Sequence, residues 1–154
     1  MDQRPLYYER LSVPLRWWAL ATMFLASVLL AFLVATPAAV AFGTTGALTL
    51  LVGTVFLSYG AAQVEVREGH FWAGGAHIPV AFLHDPQPLD TAEARRALGV
   101  EADARAFLLV RPYLKRAVRV RVVDPADPTP YWLVNTRHPR RLAAALATAI
   151  EAAH

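Results

Sequence analysis

The chain has 154 residues, of which 56% are apolar and 18% charged, with a net charge of +3 and no cysteine. Disulfides, thiolate metal sites and thiol catalysis are therefore excluded. The length suits one ordinary domain, but charge is spread unevenly. No Asp, Glu, Lys, Arg or His occurs from Trp17 to Val64, so all 12 acids and all 15 Lys and Arg lie outside that stretch.

Residues 1–16 contain LYYERLSVPLRWW, with Tyr7, Tyr8, Leu11 and Val13 set among charges. Pro5 and Pro14 prevent a single clean helix. The segment reads as a cytoplasmic, interfacial anchor ahead of the membrane, with a partner-binding motif as the alternative.

A bilayer core about 30 Å thick needs roughly 20 helical residues to cross it. Residues 17–62 therefore hold two crossings of about 20 residues and a connection of about six. The first reads from Trp17 to about Ala35, with Trp17 and Trp18 at an aromatic belt after Arg16. The turn lies near Thr36-Pro37, extending as far as Gly43–Gly46, and the second crossing ends near Tyr59–Ala62. Arg4, Arg10 and Arg16 precede the hairpin and Arg67 follows it, while the turn has no basic residue. The positive-inside rule then places both flanks, and both termini, in the cytoplasm at the inner membrane.

Gly46, Gly53 and Gly60 recur every seven residues and read as the packing seam of the hairpin, with a homodimer seam as the alternative. Ala39-Val40-Ala41 after an apolar run also resembles a signal-peptide cleavage site. The run is longer than such peptides use, and a second apolar run follows directly. No ionisable group lies in the membrane, which argues against ion-coupled transport by this chain alone. Thr22, Ser27, Thr49, Thr54 and Ser58 can bond their own helix backbone.

Residues 63–154 change periodicity. Val64–Arg67 alternates as a half-buried strand, Glu68-Gly69 turns, Phe71–Ala73 forms a second strand, and Gly74-Gly75 breaks it. His77–Leu83 reads as a further strand, with Pro79 at an edge or bulge. Asp85-Pro86-Gln87-Pro88 reads as loop. Asp90 or Thr91 caps a helix to about Leu98, Glu93 completes a capping box, and Gly99 ends the helix. Strands follow at Ala106–Val110, Ala117–Val123 and Tyr131–Asn135. In Ala117–Val123, Val118, Val120 and Val122 point one way and Arg119 and Arg121 the other. A final helix runs from Pro139 to about Ala152, with Leu142, Leu146 and Ile150 on one face. The expected architecture is a transmembrane hairpin followed by a cytoplasmic α+β domain. In it a bent antiparallel sheet is closed by the C-terminal helix. A pleckstrin-homology-like fold is the first expectation and a generic α+β domain the second.

Several segments together resemble a known family: YYERLSVPLRWW before the hairpin, VEVREG after it, and YWLVNTRHPRRLAAAL near the end. They look like an actinobacterial family of two-pass membrane proteins of unknown function. Tyr131 to Pro139 also resembles the strand-to-helix exit of bacterial pleckstrin-homology-like domains, where a Thr-Arg-x-Pro segment precedes the last helix. Thr136, Arg137 and Pro139 keep that arrangement here. The resemblance implies membrane residence and brings no catalytic residue.

Chemistry-bearing clusters are sparse. His70, His77 and His84 recur every seven residues, but Gly74, Gly75 and Pro79 exclude a helix that would stack them, so no metal site is read from them. The only serines, Ser12, Ser27 and Ser58, lie outside the tail, and no phosphate-binding glycine loop or cofactor motif is present. The informative feature is basic clustering. Arg111, Lys115, Arg116, Arg119 and Arg121 contain no acid among them, and Arg137, Arg140 and Arg141 add a second group. Beside an anionic inner leaflet each such residue is favoured by about 1 kcal/mol. Anionic lipid headgroups or an acidic protein partner are the expected contacts, and a solvated face is the alternative. Nucleic acid is disfavoured for want of a stacking platform. No catalytic role emerges. A membrane-anchored contact module is the first functional reading, and an accessory or scaffold subunit of a larger membrane complex is the second.

Overall fold

The computed structural model describes residues 5–154; residues 1–4, including Arg4 of the amino-terminal flank, lie outside the described residues. The chain divides into two units, one formed by the residues up to Leu11 together with Ala62–His154, the other by Ser12–Ala61.

The second unit is a helical hairpin. Helix α1 spans Leu15–Ala35 and α2 spans Ala38–Gly60, and both are long and apolar enough to cross a membrane. Only Thr36 and Pro37 separate them, so the connection is much shorter than the six residues expected. Both are extended, since Pro37 starts α2 with its fixed φ and disfavours helix at the residue before it. The Thr36 hydroxyl donates to the Phe32 carbonyl at 2.8 Å, satisfying the end of α1. Thr22, Ser27, Thr49, Thr54 and Ser58 each donate to the carbonyl four residues back. No hydroxyl among these five needs a partner outside its own helix.

The glycine seam is corrected. A Cβ at Gly46 or Gly53 would meet nothing within 4 Å, whereas one at Gly60 would meet backbone of Ser12 and Val13. Gly46 and Gly53 therefore do not face α1. The helices meet instead through rings, with Trp18 edge-on to Phe56 at 5.0 Å and Trp17 at 6.4 Å.

The first unit holds two open four-stranded sheets. In the first, β1 (Tyr7–Arg10), β2 (Gln63–Arg67), β3 (His70–Ala73) and β4 (Ala76–Pro79) form an antiparallel meander. Residues 7–10, expected as an interfacial anchor with a partner-binding motif as the alternative, are thus an edge strand of the tail's sheet. The β2–β3 turn places Glu68 and Gly69 at positive φ, which the two-residue hairpin requires.

The second sheet has the order β5-β7-β8-β6, from β5 (Leu83–Leu89), β6 (Phe107–Leu109), β7 (Ala117–Val122) and β8 (Tyr131–Asn135). Two expectations change here. Asp85–Pro88 is not loop but part of β5, whose register shifts between His84 and Gln87. An edge strand tolerates Pro86 and Pro88 because one side of it needs no ladder donors. The sheet is also not wholly antiparallel, because β6 runs parallel to β8. The expected His77–Leu83 strand divides at Pro79 into β4, a short 3-10 turn and the start of β5.

Helix α3 (Thr91–Leu98) covers part of the outer face of the second sheet, and α4 (Pro139–Ala153) packs along β5. Helix α4 buries Leu142 and Leu146 completely in the core. Both sheets supply that core: Val64, Val66 and Phe71 meet Val118, Val120, Trp132 and Val134. The sheets remain open, so the expected closure by the terminal helix does not occur.

Candidate functional site

The exit from β8 is held by a carboxylate from the opposite end of the sequence. Alternation in β1 turns Tyr7 and Glu9 inward and Tyr8 and Arg10 outward. Glu9 is 8% exposed. Its carboxylate accepts from the Tyr7 hydroxyl at 2.6 Å, from the Thr136 hydroxyl at 2.5 Å and from the Arg137 amide at 3.0 Å. The Arg137 guanidinium lies 3.5 Å from Glu9 and donates to the Arg10 carbonyl at 3.2 Å. Thr136 also accepts from the His138 amide at 3.0 Å. Burial and the neighbouring carboxylate hold the Tyr7 phenol well above its usual range. Tyr113 ties down the end of β1 by donating to the Leu11 carbonyl at 2.5 Å, and burial raises its phenol too.

This clasp fixes where α4 begins, and α4 begins with charge. Pro139 occupies the first turn, His138 supplies no side-chain cap, and the first turn carries no acid. Arg140 and Arg141 thus add positive charge to the positive end of the helix. They border an open groove of about 590 Å³ together with Arg116, Arg137 and His138. Asp90 and Glu93 line the same groove. One oxygen of each is engaged in the expected capping box: Asp90 Oδ1 accepts from the amides of Ala92 and Glu93, and Glu93 Oε2 accepts from the Asp90 amide. Among the described residues, Arg116, Arg140 and Arg141 make no ion pair.

The remaining basic residues are elsewhere. Arg119 and Arg121 lie on the outer face of β7, as alternation required, beside Asp85, Gln87 and Tyr131. Arg119 donates to Gln87 at 3.0 Å and lies 6.0 Å from the Tyr131 ring. Lys115 borders a third hollow with Thr91, Arg95 and Asn135. Arg111 donates to the neighbouring Val110 carbonyl. Sequence proximity therefore misleads: only Arg116 of the first basic group joins Arg137, Arg140 and Arg141. Sequence reasoning also missed Tyr7 and Glu9, for which the available signal was the alternation of Tyr7, Glu9 and Leu11.

The histidines divide as well. His70 and His77 sit on adjacent strands with rings 5.9 Å apart, and His77 stacks on Trp72 at 4.3 Å. His84, on β5, stacks on His154. Among the described residues, no group of three or more His or acidic side chains is placed to hold a metal.

A family described as a protein of unknown function, DUF3093, matches residues 6–146. The chain belongs to the DUF3093 family. Neither the curated proteins nor the solved structures give a match. The DUF3093 match runs from just before β1 into α4, so it spans both halves of the Glu9–Thr136 clasp, the hairpin between them and every arginine of the groove.

Proposed function

We propose that this chain is a two-pass protein of the cell membrane, a non-enzymatic module whose cytoplasmic domain contacts the anionic inner leaflet. The observation that carries the reading is the gathering of Arg116, Arg137, Arg140 and Arg141 at one groove. Such a surface gains from anionic lipid and is weakened by salt.

Membrane residence is supported by the side chains that the hairpin leaves uncovered. Leu20, Met23, Phe24, Leu30, Leu50 and Leu57 are exposed, and no residue of α1 is buried. Core helices of soluble proteins bury such faces. The β1–β2 ladder supports the topology, because it joins the segments before and after the hairpin in one sheet. Two crossings return the chain to the side where it began, and the flanking arginines favour the cytoplasmic side. A pleckstrin-homology-like ancestry is supported by a four-stranded meander, then β5, β7 and β8 in antiparallel order, then a terminal helix. The parallel β6 and the open sheets depart from it.

The test uses the full chain in nanodiscs of zwitterionic lipid, with and without phosphatidylglycerol. Amide exchange around residues 116 and 138–141 is expected to slow in anionic discs at low salt and to recover at high salt. Equal exchange in both discs would remove the reading.

A second reading, a scaffold subunit of a larger membrane complex, is favoured by Gly46 and Gly53. Among the described residues, a Cβ added at either would meet nothing within 4 Å, which leaves two small-residue positions for a partner helix.

A further inference from the structure

We propose that the groove at the start of α4 is a discrete site for one phosphate group, presented either on a lipid headgroup or free in solution. The inference deepens the membrane-contact reading above and rests on it for the lipid source. A diffuse basic face would spread its charges, each partly matched by local acids. Here Arg116, from the segment before β7, meets Arg137, Arg140 and Arg141, from the segment after β8, around one concavity. A guanidinium presents a planar fork of donors that matches phosphate oxygens two at a time.

The four arginines are not equivalent. Arg137 is held by Glu9 and by the Arg10 carbonyl, so it forms a fixed wall. Arg116, Arg140 and Arg141 are exposed and make no ion pair among the described residues. They retain donors for a ligand. Asp90 and Glu93 line the same groove, but one oxygen of each caps α3 and neither lies within ion-pair distance of these three arginines. The unfavourable placement of Arg140 and Arg141 against the helix dipole is offset once an anion sits among them. A volume of about 590 Å³ admits a phosphate together with the group that carries it. The hollow beside Arg119 and Arg121 contrasts with it: at about 270 Å³ it is smaller, and Gln87 already engages one of its two guanidiniums.

Calorimetric titration of the full chain in a neutral maltoside detergent tests the site, with inorganic phosphate and a short-chain phosphatidylglycerol as separate probes. Saturable one-site binding is expected for at least one probe. Arg140→Gln with Arg141→Gln should weaken it about tenfold or more, as befits lost charge-assisted bonds. Arg119→Gln with Arg121→Gln should leave it within about twofold. Arg116→Gln, outside α4, provides an independent loss should the α4 double variant fold poorly. Binding of both probes means phosphate alone suffices; binding of the phospholipid only assigns the headgroup as its source. No saturation with either probe, or equal loss in the two double variants, overturns the discrete site. A flat titration with lipid-dependent exchange intact in nanodiscs removes only this inference. Phosphate binding without that exchange response removes the membrane-contact reading and keeps the site.

Discussion

Glu9 on the first strand and Thr136 at the exit of the last are joined across 127 residues of chain by a 2.5 Å hydrogen bond from hydroxyl to carboxylate. The hairpin, Ser12–Ala61, is thus inserted in the sequence of one folded unit rather than preceding it. The link also sets the groove, because Thr136 and Arg137 lead directly into Pro139 and the arginines of α4.

Glu9→Ala tests this directly. It removes the acceptor of the Tyr7 and Thr136 hydroxyls and of the Arg137 amide, and releases the Arg137 guanidinium. Stranding buried donors of this kind costs about 3 kcal/mol. Thermal unfolding of the full chain, followed by circular dichroism, is expected to shift to clearly lower temperature. Glu9→Gln keeps one acceptor oxygen and should fall between the two.

Removing residues 1–11 goes further. The ladder from β1 to β2 disappears, and so do the completely buried Leu11 and the nearly buried Tyr7. Each such side chain contributes about 1.5–3 kcal/mol, against a typical total of about 5–15. Residues 62–154 alone are expected to lack a cooperative unfolding transition. The Leu11 amide donates to the Ala62 carbonyl at 2.9 Å. A short Gly-Ser link from Leu11 to Ala62 should therefore restore the transition, as circular dichroism would register.

Much of this was legible in the sequence. The alternation in β7 named its inward valines and outward arginines, because a period of two is visible within six residues. The cap of α3 was legible because Asp90, Glu93 and Gly99 act within one short segment. What was not legible depended on distant partners. Strand β1 is four residues long, follows Pro5, and pairs with a strand beyond the hairpin. Strand β5 hid behind two prolines that only an edge position tolerates. The basic cluster looked continuous along the chain, but the alternation of β7 sends Arg119 and Arg121 away from Arg116. Spacing showed that the glycines share a helical face without showing which face meets α1.

That face gives a clean discrimination. Since a Cβ at Gly46 or Gly53 meets nothing within 4 Å, Gly46→Ala and Gly53→Ala should leave the monomer's melting temperature unchanged or slightly raised. Under the scaffold reading, bulkier Gly53→Ile should abolish crosslinked oligomers in native membranes without unfolding the chain. Monomers alone in the unsubstituted protein would end that reading.

The phenols predict a pH dependence of definite sign. Burial, then the bond to Glu9, raises Tyr7 above its ordinary value near 10, and burial raises Tyr113. The folded state therefore keeps protons that the unfolded chain has released, so stability falls where the two states differ. The contribution is complete below about pH 10 and is lost as pH climbs above it. Denaturant midpoints measured between about pH 9 and 11 should drop more steeply for the unsubstituted chain than for Tyr7→Phe with Tyr113→Phe. Absorbance of the tyrosinate form offers a second view. Of the five tyrosines, Tyr7 and Tyr113 are expected to ionise only as the domain unfolds. Ionisation of all five before any loss of core fluorescence would show that neither phenol is held as the clasp requires.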